Sequence, residues 1–262
     1  MTIIVGLTLV TILQAPTAPS SLTPEAIAAF LSNAKIVHAK AVGKGVTSPW
    51  RLTLSDGTLT HDAAFQSVDE HKPMERFASG GTELNFIDSW RYNVAAYRLA
   101  GLVGLGDMMP VTVERRWRGT LGALSWWVET KMDEEARLKQ KIEPPDREAW
   151  SRQMYRLRVF TQLVDDTDRN LGNVLITPDW EVRMIDFTRA FRLWARIKEE
   201  DLGRCDRRLF ERLQSLSMDE LARATDPYLT RDEMKAVLAR RDLIVAHVKR
   251  LVAERGEQQI LY

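Results

Sequence analysis

The order of local patterns predicts an α+β chain in two lobes, a small antiparallel sheet with one long helix followed by a mainly helical half. Three observations carry this. Residues 34–70 read as short β-type runs punctuated by glycine turns. Residues 86–105 place Phe86, Trp90, Val94, Tyr97 and Leu102 at roughly helical spacing. Beyond Ile197 the patterns are helical, with capping-box spacing at Ser217/Glu220 and Thr230/Glu233.

Taken in order, Thr23-Pro24-Glu25 is an N-cap, a proline at N1 and an early acid, which opens a helix running to about Ser32. "KIVHAKAV", "WRLTL" and "THDAAFQSV" follow as strands. Asp56-Gly57 closes the second hairpin, and the first carries Gly43, Lys44 and Gly45. The helix predicted over 86–105 stops at Gly104 and Gly106. "MMPVTVERRWRGTLGALSWWVET" supplies two more strands around Gly119. The charged segment 132–150, broken at Pro144-Pro145, reads as a connection with a solvated face. A helix over Glu148–Val164 precedes "VLIT", the turn "PDW" and "VRMI", a hairpin that ends on Asp186. The expected organisation is therefore residues 1–20 apart, a lobe over 21–130 and a helical lobe over 131–262, joined near Trp127–Lys131.

The 262 residues are 45% hydrophobic, enough to bury a substantial core. Lys+Arg 37 against Asp+Glu 36 leaves a formal net charge of +1, so no overall field draws the chain to nucleic acid or to an acidic membrane. The single cysteine, Cys205, excludes an internal disulfide and a thiolate zinc cluster. The apolar run Ile3–Leu13 is too short to span a bilayer. It precedes a small-residue, proline-rich stretch but lacks a basic flank. Two readings stand, a cleaved export signal or a disordered or strand-forming N-terminus, and with them an exported or a cytoplasmic location.

"DDTDRNLGNVLITPDWEVRMIDF" concentrates side-chain oxygens just before one strand and places another at the end of its partner. The hairpin would bring the Asp168–Asn173 loop and Asp186 to one end of a sheet. Magnesium binds through one or two carboxylates while substrate phosphates complete its shell, and Asn173 with Asp186 suits that demand. Asp168 is then left to orient or deprotonate an attacking hydroxyl. Asp165 and Asp166 read as caps of the preceding helix.

An Asp, an Asn five residues later, a strand pair and then Asp-Phe resembles the catalytic loop and metal-binding segment of the protein-kinase-like superfamily. "DRNLGN" is closer to the Asp-Arg-His-x-x-Asn loop of phosphatidylinositol 3/4-kinases and related atypical kinases. "NVAAYRLAGLVGLGDMMPVTVERR" is similar to the stretch of secretory-pathway and HipA-type kinases where the third helix runs into Pro-x-x-Val-x-Arg. The resemblance spans residues 34–195. It implies a two-lobed protein-kinase-like fold that binds ATP with magnesium, or manganese. It further implies Asp168 as catalytic base, Asn173 and Asp186 as metal ligands, and Gly43, Lys44 and Gly45 as the glycine loop over the nucleotide.

The sequence departs from that pattern where a lysine and a glutamate would pair across the cleft, since Gln66 and Asn93 stand there. Replacing both charges lets two amides hydrogen-bond, whereas replacing one would strand a charge. Thr188 follows Asp-Phe where glycine is usual, which restricts the backbone. Arg189 is a candidate contact for a substrate or phosphate, and Trp126 and Trp127 for an adenine pocket. The expected function is an atypical kinase-like phosphotransferase whose acceptor is a protein, a lipid or a small molecule. The alternatives are a pseudokinase that binds nucleotide or acts as a scaffold, and a nucleotidyl transferase that holds ATP reversed.

Overall fold

The computed structural model describes residues 22–43, 49–77 and 80–262. Helix α1 (Pro24–Asn33) starts as expected, with the Thr23 hydroxyl accepting from the Ala26 amide at 3.2 Å. Strands β1 (Lys35–Ala41), β2 (Trp50–Ser55) and β3 (Thr60–Gln66) follow. The β2–β3 turn forms because Asp56 Oδ1 accepts from the Thr58 and Leu59 amides at 2.9 and 2.8 Å, and Gly57 takes φ 95°. Strands β4 (Asp69–Arg76) and β5 (Thr82–Ser89) form a separate two-stranded ribbon.

The sheet is completed later in the chain by β6 (Thr112–Trp117) and β7 (Thr120–Trp126), giving the order β1-β2-β3-β7-β6 with antiparallel pairing throughout. Arg118 and Gly119 both adopt positive φ, the two-residue turn that suits the twist of a hairpin. Strand alternation then sorts the faces. Leu52, Leu54, Ala63 and Phe65 point to one side and bury against Phe30 and Leu31 of α1. Gln66, next in sequence to Phe65, faces away from that core.

The single long helix expected over 86–105 is shorter than its spacing implied. Phe86–Ser89 belong to β5, and helix α2 runs only over Arg91–Leu102. Phe86 and Trp90 are four apart and both buried, which mimics a helix face, but Phe86 is buried from a strand. Helix α2 is buried on nearly all sides, and the Tyr92 hydroxyl donates to Glu233, which also caps the helix beginning at Arg231. That link ties α2 to the helical half.

The segment expected to be a plain connection contains β8 (Met132–Asp133) and α3 (Glu134–Lys139). Helix α4 (Arg147–Leu163) is followed by β9 (Val174–Ile176) and β10 (Val182–Met184), which with β8 make a three-stranded sheet rather than an isolated hairpin. Helices α5 (Arg207–Ser215), α6 (Met218–Thr225), α7 (Arg231–Arg255) and α8 (Glu257–Ile260) complete the chain, and both predicted capping boxes form. Cys205 is a buried thiol, pushed up to about 12 by that burial. Among the described residues no helix is long and apolar enough to cross a membrane.

Candidate active site

Helix α4 ends in a backbone motif that aims the following loop. Asp165 takes φ 46°, its amide donates to Gln162 O at 3.2 Å and the Asp166 amide to Thr161 O at 3.0 Å, the paired bonds of a Schellman end. Asp165 thus terminates the helix through its backbone. Asp166 does more than cap. Its carboxylate accepts from Arg169 Nε at 2.7 Å and from the Asp168 amide at 3.1 Å.

Arg169, which the sequence did not single out, joins the loop to the strand end carrying Asp186. Its Nη1 donates to Asn173 O at 3.0 Å and Ile185 O at 2.7 Å, and its Nη2 to Asp186 O at 3.2 Å. The guanidinium lies 4.2 Å from the centroid of the Phe187 ring. The Ile185 amide closes the same unit by donating to Asn173 O at 3.1 Å. Asp168, Asn173 and Asp186 therefore sit on one cross-linked frame. The Asp168 carboxylate is about half exposed and makes no hydrogen bond, and the Asn173 side-chain amide has no partner among the described residues.

Asp186 takes φ 58°, a conformation that aspartate and asparagine tolerate better than other branched or bulky residues. Its Oδ1 accepts from Thr188 Oγ1 at 3.2 Å and, more weakly, from Gln66 Nε2 at 3.4 Å. Burial pushes its carboxyl above the usual range, and the Thr188 hydroxyl and the Arg169 charge oppose the rise.

Gln66 and Asn93 meet directly. The Phe187 amide donates to Asn93 Oδ1 at 2.7 Å, which leaves Asn93 Nδ2 to donate to Gln66 Oε1 at 2.7 Å and turns Gln66 Nε2 toward Asp186. One backbone donor thus fixes the orientation of both amides. Asn93→Glu alone should bury an unpaired carboxylate beside Asp186 and lower unfolding free energy by about 3 kcal/mol or more. Adding Gln66→Lys should return about 1–3 kcal/mol. Denaturant unfolding of the four proteins of this cycle measures the coupling, and a coupling near zero would show that the two side chains are not one polar unit.

A second carboxylate, unmarked in the sequence, completes the site. Asp88 lies near the end of β5, where the Ser89 amide donates to Thr188 O at 2.9 Å and sets the strand against the segment after Asp186. Asp88 Oδ1 is buried with no hydrogen-bond partner among the described residues. Burial raises the Asp88 carboxyl, Thr188 and Arg189 oppose the rise, and its charge in turn raises Asp186. Two partly buried carboxylates that repel each other, one with an orphaned oxygen, fit a hard divalent cation. Among the described residues no cluster of three or more His, Cys, Asp or Glu forms a metal cage. Asp88 and Asp186 could hold magnesium or manganese with water or phosphate completing its shell.

Arg189 Nη1 lies 3.6 Å from Asp168 Oδ1, while its Nη2 donates to Glu83 Oε2 on β5 at 2.8 Å. Arg192 takes the other Glu83 oxygen at 2.7 Å. Lys72 sits on the exposed ribbon between Glu70 and Glu75, at 2.8 and 3.0 Å, so all three are spent on one another. Gly43 is exposed beyond the end of β1, and Lys44 and Gly45 lie outside the described residues. Trp126 packs edge-on against Phe30 in the core. Trp127 lies under the Arg51 guanidinium at 4.3 Å, on the wall of a cleft of about 620 Å³ beside residues 127–130.

No sequence profile of a known family matches the chain, and no curated protein matches it. Solved structures do. Hydra Fam20, solved with sugar, superposes with a TM-score of 0.65 at 16% identity over 96% of this chain and 95% of that one. A Golgi casein kinase, also solved with Mn/ADP bound, gives 0.63 at 12% identity over 91% of this chain and 78% of that one. The Helicobacter pylori proinflammatory kinase CtkA gives 0.52 at 10% identity over 87% and 99% of the two chains. The chain has the fold of the atypical protein-kinase-like proteins.

Proposed function

We propose that this protein is an ATP-dependent phosphotransferase that works with a divalent cation, its nucleotide lying between the residue 21–130 and 131–262 portions. The observation that carries the reading is the frame built by Arg169, which sets the Asp168 loop against Asp186 and, across from it, the unpartnered oxygen of Asp88. Asp186, Asp88 and Asn173 hold the cation, which when bound neutralises charge building on the phosphates. Asp168, whose carboxylate makes no hydrogen bond among the described residues, orients an acceptor hydroxyl and takes its proton. The resemblance assigns Gly43, Lys44 and Gly45 to a glycine loop over the nucleotide, Lys44 and Gly45 lying outside the described residues. The kinase fold of the neighbours and the Mn/ADP bound to one of them support this reading. Nucleotide binding that requires the cation tests it.

A second reading is favoured by one observation, the neutral Gln66–Asn93 pair. A module that binds nucleotide without transferring phosphate has no need of a lysine there. The two separate on product formation, since only the enzyme yields a phosphorylated acceptor that depends on Asp168.

A further inference from the structure

The amide at position 66 leaves open which cation meets the phosphates. Arg169 is spent on backbone carbonyls behind Asp186, and Lys72 on two ribbon glutamates. We propose that Arg189 fills this role: its guanidinium binds the terminal phosphoryl group of the nucleotide, and Glu83 is the positioning residue that holds it there. The inference rests on the phosphotransferase reading and deepens it.

Arg189 Nη1 stands 3.6 Å from Asp168 Oδ1, and the arginine is near enough to Asp88 for its charge to act there, so it neighbours both the residue proposed to meet the attacking hydroxyl and one proposed to hold the cation. A phosphoryl group in transfer must pass between those two. In that step the acceptor oxygen forms a bond to the terminal phosphorus as the bond to the bridging oxygen of ADP breaks. The bonding pair stays on ADP, and the acceptor proton goes to Asp168.

Arg189 Nη2 is taken by Glu83 at 2.8 Å, but Nη1 makes no hydrogen bond among the described residues and Nε is buried without a partner. Nη1 is thus the donor available to an anion. The group is also held before any ligand arrives. Phe77 and Phe86 lie 4.7 and 5.3 Å from the guanidinium, and Glu83 is itself anchored by Arg192 at 2.7 Å. A side chain already ordered loses little freedom on binding.

The test is a calorimetric comparison of ATP and ADP affinities, with magnesium present, for the wild type, Arg189→Ala, Arg189→Lys and Glu83→Gln. Wild type should prefer ATP. Arg189→Ala should weaken ATP binding by about tenfold or more while ADP binding holds, because charge-assisted hydrogen bonds to one phosphate are lost. Lysine should restore part of the preference through charge without the fork. Glu83→Gln should narrow the ATP-to-ADP ratio although Arg189 keeps its charge, which a merely structural role would not do. Equal ratios in all four folded proteins would overturn the proposal. So would unchanged ratios with a raised acceptor KM, which would place the anion on the acceptor. If Arg189→Ala does not fold, the lysine and Glu83 variants decide. A wild type that binds neither nucleotide would instead sink the phosphotransferase reading itself.

Discussion

Asp168→Ala is expected to lower product formation by about 10²–10⁴-fold, the usual worth of a positioned general base, and to leave magnesium-dependent ATP affinity unchanged. The structure makes this a clean substitution. The loop is held by the Asp168 backbone, whose amide donates to Asp166 and whose carbonyl accepts from the Asn170 amide at 2.7 Å. Among the described residues its carboxylate makes no hydrogen bond and only the 3.6 Å ion pair with Arg189, so removing it leaves the backbone frame intact. Transfer of labelled terminal phosphate to a panel of protein, lipid and small-molecule hydroxyls measures the effect. Wild-type product that persists in the variant would assign the base elsewhere. Absence of product from the wild type with every acceptor class would favour the binding module.

Arg169→Ala should have the largest effect on stability, about 3–5 kcal/mol in denaturant unfolding. The substitution leaves the Asp166 carboxylate, which has no exposed surface, without its counter-charge. It also strips donors from three carbonyls and the cation from the Phe187 ring. Arg169→Lys should recover little, because one ammonium cannot span Asp166, Asn173, Ile185 and Asp186 together. Asp166→Ala should cost a similar amount, and the double variant much less than the sum, since the two side chains act as a unit. A loss below about 1 kcal/mol, the level of an exposed ion pair, would show that the frame is held by something other than this arginine.

The legible parts of the sequence were those in which local chemistry decides local structure. Asp56-Gly57, Arg118-Gly119 and the two capping boxes each fix a turn or helix start with atoms a few residues apart, and each appears where expected. The ribbon β4–β5 escaped notice because "DEHKPMER" is exposed almost throughout and carries no apolar alternation, so periodicity had nothing to register. Losing the ribbon also hid Asp88 and Glu83. Asp88 read as one acid in a supposed helix, and its meaning comes from strand pairing and from the Ser89–Thr188 contact, a hundred residues apart. Arg169 falls within the quoted loop motif, but its role was hidden for a different reason. It acts on backbone carbonyls, which every residue has, so no residue type marks its partners. The Gln66–Asn93 contact was legible because two substitutions at expected partner positions complement each other chemically.

The most direct test of the central claim is a calorimetric titration with ATP, with and without magnesium, of the wild type and of Asp186→Asn. Asparagine is the right replacement because position 186 has φ 58°, which alanine would strain. Binding that requires the cation and is lost in the variant is expected. No binding at millimolar nucleotide, or binding indifferent to both magnesium and Asp186, would contradict it.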